Sequence, residues 1–551
     1  MVEVAKPDYL SLVNKSGSGF NVSELVNAMV SAEIEPRRTL ENDKLKKTET
    51  AISGISYLNS QVTKTMNNFT TISSDKFFST TNTNSSGVDL TITDESKSAE
   101  GTISIANVST AKKMVFEFSG FTSLVGSFSA DLAINFGSWS ESSGTYTFSG
   151  SGTSVNLDQF SGKTLQEVAD ILDAVDGISA QIVDKTGTNN NYSLTITGSS
   201  TGASAGFQIV DSLAGKDGRW ETPTDPSVDA YGNNYNQLAS DASFDFNGVT
   251  LTRTTNSISD LIAGSTLELK SDFSSAATIT TSRSKSSIIQ TINDTIFSLN
   301  EFKAEIDKLT EIVVGGDNGP LAMDPAVSKL KSDFKKLSVA PISGYADSDI
   351  YLTELGIKTN AKGEFYLDEA IFNKTYANNP ERFSALKDSN LTTNKSSVTA
   401  TKSVYTSIPP GKYTISDSSG SWKLGDTVSL AREDLSDGGS SFTTSSYPGL
   451  LMISKALDPG DFTLYAGTSF SKKIIDLMND VLDESSSISN ANTTYTAKND
   501  DLSEKLEQLE EREKLLKTRY TAQFGDMESA MTQFNGTKTL LENLVDSWNQ
   551  K

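Results

Sequence analysis

The sequence predicts an α+β multidomain protein: a terminal α-helical coiled-coil stalk carrying antiparallel β-rich head domains. Three observations lead there. Apolar residues recur in heptads near both ends of the chain. Between them lies a Ser/Thr/Gly-rich stretch that alternates apolar and polar residues. At 551 residues the chain exceeds what one hydrophobic core accommodates, and about three to five domains are expected.

The N-terminal end begins with a polar segment, residues 1–20, containing SGSG at 16–19, read as a flexible tail. From there Val22, Leu25, Val26, Met29 and Val30 fall on one helical face. Pro36 is expected to end this helix. A second helix then carries Leu45, Ile52 and Met66 in one heptad series and Ile55, Val62 and Phe69 in the other. Asn59 fills the remaining slot of the first series, where a buried amide can set register at some cost in stability. These two helices make up an N-terminal stalk segment, 21–75.

The middle reads as strands. Val88–Thr93, Gly101–Val108, Tyr192–Ile196 and Val249–Arg253 alternate between turn clusters, as half-exposed antiparallel strands do. Asn247-Gly248 signals a tight hairpin, and a short helix is expected near Thr164–Val175. The expected division is one β-rich head domain from 76–115 plus 205–285 and a second, with the short helix, from 116–204. A helical and mixed leg domain follows at 286–394, broken by GGDNGP at 315–320. An inserted β domain is expected at 395–468.

The C-terminal segment, 469–551, has the strongest periodicity. One heptad series reads Leu506, Glu513, Tyr520, Met527, Phe534, Leu541 and Trp548. Its companion reads Leu502, Leu509, Leu516, Gln523, Ala530, Thr537 and Leu544. That is a coiled-coil seam, supported by acidic-before-basic pairs such as Asp501/Lys505 and Glu513/Lys517. Such a helix needs a partner for its stripe, and the economical partner is the N-terminal segment. The expected assembly seam is therefore Ile52, Ile55, Val62, Met66 and Phe69 with Leu502, Leu506, Leu509, Leu516, Tyr520, Met527, Phe534, Leu541, Leu544 and Trp548.

Composition removes many functions. The formal charge of -23 repels phosphate backbones, which argues against nucleic-acid binding. With neither Cys nor His, there is no disulfide, thiolate nucleophile, His-based triad or Cys/His metal site. Asp317, Asp434 and Asp437 lack the spacing of a calcium loop, so no metal and no cofactor is expected. Tyr520, Phe534 and Trp548 read as seam residues rather than a ligand cage. The N-x-S/T triplets at Asn68, Asn107, Asn191 and Asn390 arise by chance in so Asn/Ser/Thr-rich a chain. No apolar run approaches the ~20 residues of a membrane span, and MVEVAKPDYLSLV lacks the form of a secretory signal. Composition alone points to the cytoplasm.

Several co-linear stretches change that last reading. SGSGFNVSELVNAMVSAEIEP, SAEGTISIANVSTAKKM, GISAQIVDKTGTNNNYSLTITGSSTGASAGFQI and FNGVTLTRTTNSISDLIAGSTLELK occur in order. They are followed by GPLAMDPAVSKLKSDFKKL, LTELGIKTNAKGEFYLDEAIFNKTYANNPERFSAL and REKLLKTRYTAQFGDMESAMTQFNGTKTLLENLVDSWNQK. Together they resemble the flagellar filament cap family of hook-associated proteins. The block at 395–468 departs from the family's usual length and is read as an insertion at the surface.

The resemblance implies a structural, non-enzymatic protein at the distal tip of the bacterial flagellum. It implies a homo-oligomeric ring of roughly five or six subunits, under which exported flagellin folds and inserts, as filament growth and motility require. The implied partners are the chain itself, flagellin, hook–filament junction proteins and an export chaperone, with no membrane insertion. Export would run through the flagellar channel without a cleavable signal peptide, to an extracellular location. The alternative is a surface adhesin or tail-fibre-like protein whose β-rich head binds a host or surface receptor. Flagellin or another junction protein is a third reading, against which TRYTAQFGDMESAM argues.

Overall fold

The computed structural model describes residues 19, 21–125, 132–142, 145–157, 160, 162–211, 232–418 and 420–549. The expected tail at 1–20 lies outside these residues apart from Gly19. Seven α-helices are described: α1 (Val22–Ser73), α2 (Leu165–Asp173), α3 (Lys285–Leu309), α4 (Pro325–Val339), α5 (Glu369–Asn378), α6 (Phe470–Leu482) and α7 (Ser487–Asn549). The chain divides into two units, one formed by its two ends (1–75 and 289–551) and one by 76–288.

In the unit at 76–288, all sheets are antiparallel. A five-stranded sheet runs in the order Phe78–Asn82, Ala277–Arg283, Gly101–Ser109, Ala242–Phe246, Val249–Arg253. With the strands Val88–Ile92, Ser265–Leu269 and Ser257–Ile262 it encloses a core of Val88, Ile105, Phe244, Leu267 and Ile279. Asn247 and Gly248, both at positive φ, form the two-residue turn that pairs Phe246 with Val249.

A second core gathers Phe116, Phe118, Ile134, Phe160, Leu194, Ile196, Phe207 and Ile209 beneath α2. The start of α2 is fixed by a capping box in which Thr164 and Glu167 satisfy each other's backbone N–H groups. The strands Gly206–Asp211 and Asn234–Gln237 belong to this second core. This corrects the expected change of domain at 205. Phe207 and Ile209 are wholly buried there because Gly206–Asp211 pairs with Leu132–Ser142.

The unit formed by the chain ends contains α1 and α3–α7 with a nine-stranded β-sandwich. The sandwich begins at Asn390, since Asn390–Thr393 pairs with Phe462–Gly467. One sheet is ordered Asn390–Thr393, Phe462–Gly467, Gly411–Ser418, Ser421–Leu424, Val428–Ser429. The other is ordered Val398–Lys402, Leu450–Ser454, Ser440–Thr443, Ala431–Asp434. Phe442 sits between Trp422 and Phe462, with ring centroids 4.8 and 5.9 Å away.

Two expectations about the helices are overturned. Pro36 does not end a helix: α1 is continuous for 52 residues with the proline inside it. An interior proline removes a backbone hydrogen bond and costs about 3 kcal/mol. Burial of Val26, Val30 and Ile34 with Leu516 just before the proline offsets it, and Glu33 bonded to Arg512 at 2.8 Å and Arg38 ion-paired to Glu513 hold the alignment on either side. The C-terminal segment, in turn, is two helices. α6 stops at Leu482, and the Asp483 carboxylate takes up the Ser485 N–H (2.8 Å) and hydroxyl in the turn before α7.

Candidate assembly surface

Asn21 opens α1 by accepting the Glu24 N–H at 3.2 Å. Val22, Val26, Val30 and Ile34 then recur at four-residue spacing and are buried together with Leu516. Leu509, Tyr520 and Phe524 pack against them. Leu509, Leu516 and Tyr520 of the C-terminal seam are therefore partnered by the first three turns of α1 rather than by the Ile52–Phe69 series. Of that series Ile55, Val62 and Phe69 are buried and Ile52 and Met66 half-buried. Phe69 meets Phe470 of α6 edge-on at 6.0 Å. Leu58, fully buried, and Phe524 were absent from the expected seam. Their signal was four-residue spacing from Gly54 and Tyr520, which strict sevens overlook.

Glu513, the charged residue in the heptad, is explained by Arg38, which ion-pairs with it and draws its own guanidinium pKa upward from that bond. One turn away, the hydrogen bond from Arg512 lowers the pKa of Glu33, which also accepts from the Tyr520 hydroxyl at 3.4 Å. Two polar pairs thus flank the apolar strip. Open to solvent on one side, with only Arg512 fully exposed, they set alignment more than stability.

Along α7 the seam changes character. Leu502 and Leu516 are buried, and Leu506, Leu509 and Tyr520 half-buried. From Met527 onward the stripe faces solvent: Met527, Met531, Phe534 (76 % exposed), Leu541, Leu544, Val545 and Trp548 (77 % exposed). Met527, Met531, Phe534, Leu541, Leu544 and Trp548 are separated by three, four or seven residues, as one helical face requires, with Val545 beside Leu544. A single helix of this kind has little stability by itself. Covering each side chain contributes about 1.5–3 kcal/mol. The apolar face of α7 thus continues from a covered portion into an exposed one.

Residues 239–536, more than half of the chain, match the family model described as "Flagellar hook-associated protein 2 C-terminus". Residues 18–114 match its N-terminal counterpart. The chain belongs to the flagellar hook-associated protein 2 family. Within it, the A-type flagellar hook-associated protein 2 of Pseudomonas aeruginosa is 28% identical over 255 residues, 43% of this chain and 52% of that protein. The flagellar hook-associated protein 2 of Helicobacter pylori (strain ATCC 700392 / 26695) is 30% identical over 153 residues, 26% of this chain and 22% of that protein. The chain thus spans about half, or less, of the length of the curated relatives it matches. Among solved structures, the D1-D2-D3 domains of the flagellar cap protein FliD from Escherichia coli align with a TM-score of 0.52 at 17% identity. That alignment covers 80% of this chain and 99% of the other, which shows a shared α+β multidomain fold. The hook-associated protein 2 family is structural rather than enzymatic. No helix among the described residues is long and apolar enough to cross a membrane.

Proposed function

We propose that the chain caps the distal end of a bacterial flagellar filament. Copies of it assemble into a closed ring, of roughly five or six subunits as the resemblance to the family implies, and newly exported flagellin folds and inserts beneath that ring. Membership of the hook-associated protein 2 family supports this reading. The observation that carries it is the exposed stripe from Met527 to Trp548, aligned in continuation of the buried α1–α7 contact. A solvent-facing apolar face of that length is expected where an assembly will cover it.

In the same reading the protein works outside the cell at the filament tip, having left through the flagellar channel without a cleavable signal. Its partners are further copies of itself, flagellin, the hook–filament junction proteins and an export chaperone.

The test is a strain lacking the gene. Flagellin is expected as monomer in the medium, with filaments missing or stunted, and added purified protein restores growth. Filaments of normal length in that strain would overturn the capping role.

A further inference from the structure

The α1–α7 pair is charged unevenly across its width. Residues 37–47 of α1 hold five basic side chains against Glu41 and Asp43, while residues 500–511 of α7 hold six acidic ones against Lys505. The two stretches lie at one height. Arg38 is ion-paired to Glu513, and further along α1 Glu41 adds to the raised pKa that Lys505 owes first to its bond with Asp501. The helices therefore run in opposite directions here, with 37–47 beside 502–513.

Only part of this charge is matched inside the chain. Lys44 pairs with Glu41, Lys505 with Asp501 and Lys514 with Glu511. Among the described residues, Arg37, Lys46 and Lys47 form no ion pair, and neither do Glu504, Glu507 and Glu510. All six are exposed.

Spacing gathers most of them onto two flanks. Arg37, Leu40, Lys44 and Lys47 follow at steps of three and four, along one face of α1, with Leu40 54 % exposed. Glu504, Glu507, Glu511 and Leu515 do the same on α7, with Leu515 70 % exposed. At 3.6 residues per turn, this α7 face lies opposite the covered Leu502, Leu509 and Leu516. It cannot turn toward the basic flank of its own chain.

It can meet that of another. A rotation about an axis along the helix pair keeps every residue at its height, so Arg37 of one copy comes near the level of Glu511 of the next, and Lys47 near Glu504. The two flanks differ, so the contact is head to tail and repeats until a ring closes. Pairing like flanks would instead oppose charges of one sign.

We propose that the Arg37–Lys47 face of α1 in one copy docks on the Glu504–Leu515 face of α7 in the next. The contact rests on the ring proposed above and names its lateral surface. Exposed ion pairs each contribute little to stability. Together they choose which face meets which and set the register.

Sedimentation of the full-length chain reads the contact. The parent should associate at about 0.05 M NaCl and do so severalfold less tightly at about 0.5 M, where screening is short-ranged. Arg37→Glu with Lys47→Glu should weaken association about tenfold, as should Glu504→Lys with Glu507→Lys. Both double variants should melt as the parent does, since none of the four side chains forms an ion pair. Mixing the two double variants, or combining all four changes in one chain, should restore association, because acidic faces again meet basic ones. The proposal is overturned if the parent stays monomeric at low salt, or if either double variant associates as the parent does. It is also overturned if neither the mixture nor the combined variant regains association. Capping is judged separately: normal filaments in the strain lacking the gene would remove the cap and leave this charge-dependent contact standing. Filaments restored by a parent whose association ignores these charges would do the reverse.

Discussion

The Tyr495 hydroxyl of α7 donates to Asp324 Oδ2 at 2.9 Å, while Asp324 Oδ1 caps α4 by accepting the Ala326 and Val327 N–H groups at 2.8 and 3.0 Å. The carboxylate is only 3 % exposed, so one side chain fixes the start of one helix and its position against another. Burial, and then the Asp324 bond, push the Tyr495 pKa up to about 12. The folded value lies above the ordinary tyrosine value of about 10. The associated stability is thus fully present below pH ~10 and is lost as pH rises through about 12. Tyr495→Phe should cost about 1–3 kcal/mol in chemical denaturation at neutral pH and remove that alkaline limb. An unchanged denaturation midpoint would show that the bond contributes nothing.

Gly54, inside α1, packs against the loop before α4. A Cβ on it would lie 3.0 Å from Pro320 Cβ and 3.2 Å from Leu321 Cγ. Gly525 and Gly536 in α7 have open space around them. Replacing either α7 glycine by alanine should stabilise the helix by about 0.8–1 kcal/mol. Gly54→Val should instead destabilise by about 1–3 kcal/mol through overpacking. Helix content and thermal melting of the three variants read the contrast directly.

Glu117 lies in the second core of the 76–288 unit. Burial alone would raise its pKa, but bonds from Lys185, Ser193, Asn236 and Ser119 outweigh that and hold it at about 2. The unfolded carboxyl titrates near 4.3. Stability from this group is therefore present above that value and is lost as pH falls from ~4.3 through about 2. Glu117→Gln should flatten this part of the acid-unfolding curve, measured by circular dichroism, and lower stability at pH 7 by about 1–3 kcal/mol.

Phe534, Leu541 and Trp548 are exposed in the single chain. Changing all three to serine should leave the thermal midpoint of the isolated chain almost unmoved, yet abolish oligomer formation and filament rescue. A triple variant that still restores filaments would remove the stripe from the assembly.

Pro36→Ala should restore the missing hydrogen bond of α1 and raise stability by up to about 3 kcal/mol. Hydrogen exchange across residues 30–40 would report the gain locally.

Legibility differed between parts of the chain for identifiable reasons. Heptad spacing made the helical ends visible, because a long amphipathic repeat has few alternative readings. Their pairing was not visible: the short stripe Val22–Ile34 competes with the longer Ile52–Phe69 series, and only the contacts with Leu509, Leu516 and Phe524 choose between them. Pro36 misled because local propensity was outweighed by tertiary packing of Val26, Val30 and Ile34 with Leu516. The strands were readable from alternation. Their partners were not, since Gly206–Asp211 could pair in either core until Phe207 was seen to be buried in the second. Gly54 carried no sequence signal, as close approach is a property of the neighbour as much as of the glycine.

Phe78, near the start of the 76–288 unit, pairs with Arg283 near its end, and Asn390, which opens the sandwich, pairs with Gly467, which closes it. In both cases the incoming and outgoing strands are ladder neighbours, about 5 Å apart. Each region is consequently a cassette: a two-residue hairpin could bridge the gap left by its removal, and a foreign domain with adjacent termini could take its place. Either region could therefore be exchanged with the sequence and register of the terminal helices left as they are.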